Sequence, residues 1–169
     1  MAAFTEINWS DPDIWGVIVG RGIATVEPGT VPRFEAWLEA NGYSFFEFDF
    51  GGGISPVVLE LGHYFRWLDQ FGYSLDSESR NLAALRDGFE IQSPNLVFKL
   101  SHFERAWLED KAWARGFLSI ISEHSLRQLA LGKRFFAMLP VTDSESALVG
   151  ETIEELDVSC PFRFRGGSA

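Results

Sequence analysis

YSFFEFDF, the segment from Tyr43 to Phe50, carries the strongest secondary-structure signal in the chain. From Phe46 onward, phenylalanine alternates with the acids Glu47 and Asp49. A period of two is typical of a β-strand with one apolar face and one polar face. The segment therefore predicts a strand whose phenylalanines pack into a core. The other elements of the fold are predicted on either side of this strand.

Three glycines follow this strand at 51–53. We interpret them as a turn, because they lack the spacing and the Lys-Ser/Thr pair of a phosphate-binding loop. Helical and strand-like patterns then alternate. Helices are predicted at 56–71, 81–89 and 101–131, and strands at 95–100 and 133–140. Since parallel neighbours need crossover connections, this order predicts an α/β fold with a three-stranded parallel sheet flanked by helices.

Local signals define the ends of several helices. Ser101 with Glu104 has the spacing of a capping box, which predicts the start of the last helical stretch. We expect a break in that stretch near Glu109 and Asp110, and Gly132 should end it.

The residues before Tyr43 add further elements. Ile14–Val19 is an apolar run that could be a strand, and 23–26 could pair with it as a hairpin. A helix should begin near Pro32 with Thr30 as its cap, and Asn41–Gly42 should end it.

Two short motifs resemble the barstar-type ribonuclease inhibitors. RNLAALRD at 80–87 is similar to the family's G-x-N-L-D-A-L-x-D signature at the start of its second helix. NLVFKLSHFE at 95–104 is similar to the family's middle strand and the helix after it. With the long helix and the closing strand, the resemblance covers roughly residues 43–139. It implies a barstar-like fold.

We expect residues 1–169 to form a single domain. On the resemblance, 43–140 would be the barstar-like core with its three-stranded parallel sheet. Residues 1–42 would be an N-terminal strand and helix extension, and 141–169 a C-terminal extension that is acidic over 143–157.

The resemblance also implies a function. In this family, acids of the second helix and of the loop before it fill the cationic active site of a ribonuclease, where charge-assisted hydrogen bonds hold them. The residues expected to bind a partner here are Tyr73, Asp76, Glu78, Asn81, Asp87 and Glu90. Asp87 falls on the signature's last acid. The sequence departs from the signature at Ala83, where an acid is expected, and at Arg80.

Composition limits the choice of partner. The formal net charge is −10, from 24 acids against 14 Lys and Arg. This charge argues against binding nucleic acid or an anionic membrane, and it suits a basic nuclease or toxin domain. Cys160 is the single cysteine, so no disulfide framework is expected. With no signal-peptide pattern and no long apolar run, we expect a cytoplasmic protein.

Catalytic and cofactor sites are not predicted. His63, His102 and His124 lack metal-ligand spacing and should be surface or capping residues. Glu47 and Asp49 share a strand face and could act as acid and base, but we expect them simply to face outward. We therefore expect no metal, no organic cofactor and no enzymatic activity. Two alternatives remain. One is a generic protein-interaction module that has no nuclease target, and the other is a small enzyme.

Overall fold

The computed structural model describes residues 22–75, 80–91, 93–142 and 146–149, and the backbone of three two-residue strands at 152–153, 158–159 and 163–164. The strands are β1 (Ile23–Val26), β2 (Ser44–Asp49), β3 (Asn95–Ser101), β4 (Arg134–Pro140), β5 (Thr152–Ile153), β6 (Val158–Ser159) and β7 (Arg163–Phe164). The helices are α1 (Val31–Ala40), α2 (Ile54–Tyr64), α3 (Trp67–Phe71), α4 (Leu82–Gly88), α5 (Phe103–Glu109) and α6 (Lys111–Ala130).

The main sheet is parallel and has the order β2-β3-β4-β1-β7. β3 pairs in parallel with β2 on one side and with β4 on the other, as predicted for the three core strands. β1 extends this sheet by pairing in parallel with β4, so the sheet has four longer strands instead of three. The short β7 pairs with β1 at the far edge, and β5 pairs antiparallel with β6 in a separate two-stranded sheet.

Each face of the sheet has its own apolar cluster. On one face, Phe48, Phe98 and Phe135 belong to the large core, which includes buried residues of α2, α4, α5 and α6. On the other face, Phe136 packs with Phe34 of α1 in a smaller cluster. Because helices cover both faces, the inner strands are buried on both sides and read as continuous apolar runs.

β2 is an edge strand of the sheet and keeps the predicted alternation. Phe48 is buried, and Glu47 and Asp49 are exposed on the opposite face. The three glycines after it form a turn, as predicted. Gly53 has φ +90°, and a Cβ there would lie 2.5 Å from a carboxylate oxygen of Glu109, so the position requires glycine.

The helix predicted at 56–71 is interrupted. Arg66 adopts a left-handed conformation with φ 51° between α2 and α3. Its side chain forms an exposed ion pair with Asp69, in the first turn of α3. A single continuous helix was therefore the wrong prediction, because two helices, α2 and α3, occupy this stretch.

The capping box predicted at Ser101 and Glu104 is also wrong. Ser101 is still part of β3, and its hydroxyl donates to Glu47 on the neighbouring strand. The cap position of α5 is instead His102, with φ 55°, and Glu104 accepts hydrogen bonds from Thr142. The predicted break at 109–110 is confirmed, because the Asp110 carboxylate accepts from the backbone of Trp113 and caps α6.

The N-terminal predictions are partly confirmed. β1 and α1 form where expected, and Asn41–Gly42 ends α1 with Gly42 at φ 75°. Thr30 occupies the cap position of α1 but makes no side-chain cap bond. Ile14–Val19 lies outside the described residues.

Within the described chain, no helix combines the length and apolarity that crossing a membrane requires.

Candidate functional site

The α4 helix forms where the sequence motif predicts a helix. Leu85 and Gly88 are buried beneath it, and Asp87 is exposed one turn beyond the exposed Ala83. Glu90 is also exposed just after the helix. Within the described residues, neither Asp87 nor Glu90 takes part in an ion pair or hydrogen bond. Both carboxylates are thus available to a partner.

Asn81 has a structural role at this face. Its side-chain oxygen accepts a hydrogen bond from the backbone N–H of Ala84 at 3.0 Å, which caps the first turn of α4. Such a cap satisfies one of the backbone donors that a helix start leaves open. The predicted partner-binding residue Asn81 therefore helps to fix the helix that carries Asp87.

The two arginines of this segment form ion pairs with residues of other helices. Arg86 pairs with Glu123 of α6 at 3.2 Å. Arg80 pairs with Glu109 of α5, and its backbone carbonyl accepts from the indole of Trp113. Arg80 is thus held by Glu109, whereas Arg86 shares the single carboxylate of Glu123 with Arg127.

Glu109 of α5 contacts both Arg80, just before α4, and the start of α2. One of its carboxylate oxygens pairs with Arg80, and the other accepts the backbone N–H of Ile54 at the start of α2. Arg80 also donates to the hydroxyl of Ser55 at 3.2 Å. These contacts hold the start of α4 against α2 and α5. Arg80, which departs from the barstar-type signature, therefore anchors the start of α4.

Tyr73 is the aromatic residue of the face. Its side chain is 50% exposed and packs against Trp67 and Phe71, with ring centroids 6.2 Å apart in each case. Gly88 of α4 lies directly on the same Trp67 and Phe71 rings. The aromatic group of Trp67, Phe71 and Tyr73 therefore packs against α4 at Gly88. Asp76 and Glu78 lie outside the described residues.

A second polar region lies at the carboxyl ends of β2 and β3. Lys99 pairs with Glu35 at 2.9 Å and with Glu47 at 3.6 Å, and Ser101 donates to Glu47. The hydrogen bond that the Lys99 ammonium donates to Glu35 is the main reason that the pKa of Lys99 is raised. These groups satisfy one another, which is typical of a structural network joining α1 to the sheet.

An exposed acid–base pair lies beside this network. The imidazole Nδ1 of His102 is 2.7 Å from a carboxylate oxygen of Asp49. This hydrogen bond is the largest cause of the lowered pKa of Asp49, and the backbone N–H of Gly51 adds to it. Burial, followed by the charges of Asp49 and Glu47, raises the pKa of Glu60 on α2.

A crevice of about 400 Å³ opens next to this pair. Its lining residues are Pro28, Val31, Pro32, Lys99, Ser101, His102, Glu104, Pro140, Val141 and Thr142. Open α/β sheets commonly bind ligands at the carboxyl ends of their strands. Here, however, Lys99, Ser101 and Glu104 are already engaged by protein groups. The crevice therefore offers a ligand mostly proline and valine surface.

The histidines differ in their environments. His63 and His102 are exposed, as expected, but His124 is buried against Phe89 with ring centroids 4.5 Å apart. Burial lowers the pKa of His124. The prediction of a surface or capping role was therefore wrong for His124. Among the described residues, no three His, Cys, Asp or Glu side chains are grouped so that they could hold a metal ion.

No family model, curated protein or solved structure matches this chain. Its function therefore has to be inferred from the chemistry of these two surfaces.

Proposed function

We propose that this protein neutralises a basic nuclease or toxin domain, as barstar-type inhibitors do, by presenting the acids of α4 to a cationic active site. One observation supports the proposal most. Asp87, the acid that matches the family motif, is exposed and unpaired within the described residues, while Arg80 before the helix is held by Glu109 of α5.

The arrangement suits an acidic helix surface that fills a cationic active site. A nuclease active site is cationic because it holds phosphate, and a carboxylate on a rigid helix can accept the same hydrogen bonds. Tyr73 supplies an exposed aromatic side chain of the kind enriched at protein interfaces. The net charge of −10 would speed the encounter with a basic partner.

The first experiment measures inhibition directly. The protein would be titrated into a secreted bacterial ribonuclease of the class that barstar-type inhibitors block, with RNA cleavage as the readout. In parallel, the immobilised protein would be used to capture partners from the native host. We expect either inhibition or capture of a basic nuclease or toxin domain, and failure of both would overturn the proposal.

The second experiment tests the face itself. Asp87→Ala should weaken binding at least tenfold, chiefly through faster dissociation, because removing an interface acid that faces buried cations typically costs about 2–5 kcal/mol. Thermal stability should hardly change, since the side chain is exposed. Glu39→Ala is the matched control, because Glu39 is an exposed acid of α1 on the opposite face of the sheet. Unchanged affinity of Asp87→Ala would show that the partner binds elsewhere.

The generic interaction module predicts a different result. It would capture a partner that has no nuclease or toxin activity, and RNA cleavage would be unaffected. A small enzyme working at the Asp49 and His102 pair would instead lose its activity in His102→Ala, and it would keep that activity in Asp87→Ala.

A further inference from the structure

The crevice beside His102 lies where the connections of the sheet diverge. Its lining comes from the segments that follow β1 and β4 and from the end of β3. β4 lies between β1 and β3, and the chain leaves β1 toward α1 on one face but leaves β3 toward α5 on the other face. Open parallel sheets bind ligands at the carboxyl ends of their strands, at such a divergence. The volume of about 400 Å³ is within the range of small-molecule sites.

Half of the residues that line the crevice are prolines and valines. Val31 and Pro32 come from the start of α1, and Pro140 and Val141 come from the end of β4 and the residue after it. Such a surface can remove the hydrocarbon part of a ligand from water, and the resulting stabilisation grows with the apolar area that is buried. A ligand that fits the crevice should therefore carry an apolar group.

The hydroxyl groups in the wall can only accept hydrogen bonds from a ligand. Ser101 bonds to the carboxylate of Glu47, and Thr142 bonds to the carboxylate of Glu104. Because an ionised carboxylate has no proton, each hydroxyl must donate its single proton in these bonds, and its oxygen keeps acceptor capacity. Glu104, which also lines the crevice, is itself an acceptor only. These groups complement a ligand that donates hydrogen bonds.

Carboxylates outnumber cations around the same wall. Among the described residues that line the crevice, Lys99 is the only lysine or arginine, and it lies 2.9 Å from Glu35 and 3.6 Å from Glu47. Glu104 adds a carboxylate that forms no ion pair within the described part of the chain, because its printed contacts are all with Thr142. The local charge is therefore negative, which favours a positively charged ligand.

We propose that this crevice binds a small primary amine, in its ammonium form, that carries an apolar group. The apolar group lies against the proline and valine surface. The ammonium donates charge-assisted hydrogen bonds to Glu104 and to the hydroxyl oxygen of Thr142, and such bonds are stronger than those between neutral groups. The site uses no residue of α4, so this inference goes beyond the proposed function and is tested separately from it.

A ¹⁵N NMR titration of the full chain measures both the affinity and the location of binding. The probes are 2-phenylethylammonium, 2-phenylethanol, 3-phenylpropanoate and ethylammonium, which separate the effect of the charge from that of the apolar group. We expect saturable shifts with the first probe, in the backbone amides of 99–104 and 141–142, and binding at least tenfold weaker with the other three. No saturation at about 10 mM would overturn the proposal, because a ligand of this size that fits its site binds more tightly. Equal binding of any other probe would also overturn it.

A matched pair of variants tests the role of the carboxylate. Glu104→Gln removes the charge but keeps the shape of the side chain, and it should weaken the binding of 2-phenylethylammonium at least tenfold. Glu39→Gln makes the same change of net charge at an exposed position near the other end of α1, and it should bind the probe as the native chain does. Equal affinity of the two variants would contradict a direct role of Glu104.

A second pair leaves the contact between Glu104 and Thr142 intact. Pro32→Lys adds a cation at an exposed residue of the crevice wall and should also weaken binding at least tenfold. Ala40→Lys adds the same charge at the exposed end of α1 and should have no effect. Equal binding by these two variants would place the amine outside the crevice. Loss of amine binding in Asp87→Ala would place it on α4 and would also refute the proposal.

Discussion

Replacing Gly88 with alanine should lower the free energy of unfolding by about 2 kcal/mol. A Cβ at this position would lie 2.3 Å and 2.7 Å from two ring carbons of Trp67 and 2.9 Å from a ring carbon of Phe71. The two rings pack together with centroids 4.6 Å apart, and Trp67 is buried, so its ring cannot move aside freely. Such overpacking costs about 1–3 kcal/mol, here near the upper end. Replacing a helical glycine returns about 0.5–1 kcal/mol.

Urea unfolding followed by circular dichroism measures this change. With a slope of about 1–3 kcal/mol per molar urea, the midpoint should fall by about 1 M. Gly116→Ala is the matched control on α6, because its Cβ would meet only the terminal methyl of Leu82, 2.4 Å away, and a leucine end can rotate. That variant should be as stable as the native protein or slightly more so. If Gly88→Ala is equally stable, or both variants lose the same amount, the tight contact between α4 and the aromatic pair is not real.

Three other perturbations have defined outcomes. Asn81→Ala removes the cap of α4 and should cost about 1 kcal/mol in urea unfolding, whereas Asn81→Asp should keep most of the stability. Lys99→Met leaves Glu35 and Glu47 without their shared cation and should cost about 1 kcal/mol at pH 7; a loss that does not shrink at high salt would contradict an ionic cause. Burial lowers the pKa of His124, so the unfolded chain binds more protons below about pH 6.5. The stability from this histidine should therefore be complete above that pH and decline as the pH falls, and unfolding of His124→Gln measured from pH 7 to pH 5 should show a weaker decline.

Much of the fold could be predicted from local sequence. The alternation around Glu47 and Asp49 defines β2, and Asn41–Gly42 and Gly132 end their helices where expected. The break between α2 and α3 could not be predicted, because Arg66 adopts a left-handed conformation without the glycine or proline that usually indicates one. Local pattern also could not show that β1 lies beside β4, since that pairing depends on residues far apart in the chain.

The candidate site was predictable in the same limited way. The position of Asp87 on an exposed helix face follows from the motif and from helical periodicity. The ion pairs of Arg80 and Arg86 could not be predicted in this way, because their partners Glu109 and Glu123 come from other helices.

The place of β1 in the sheet has a consequence for how the chain acquires its structure during synthesis. Ile23 pairs with Ala137, roughly 110 positions later, whereas β2 and β3 are much closer in sequence. A nascent chain can therefore pair β2 with β3 before β4 has left the ribosome. Until then, β1 has no partner strand to pair with. Closing such a distant contact is slow, and apolar strand surface stays open to misassembly in the meantime. We expect the docking of β1 to be the late step of folding, and the one that a chaperone would protect.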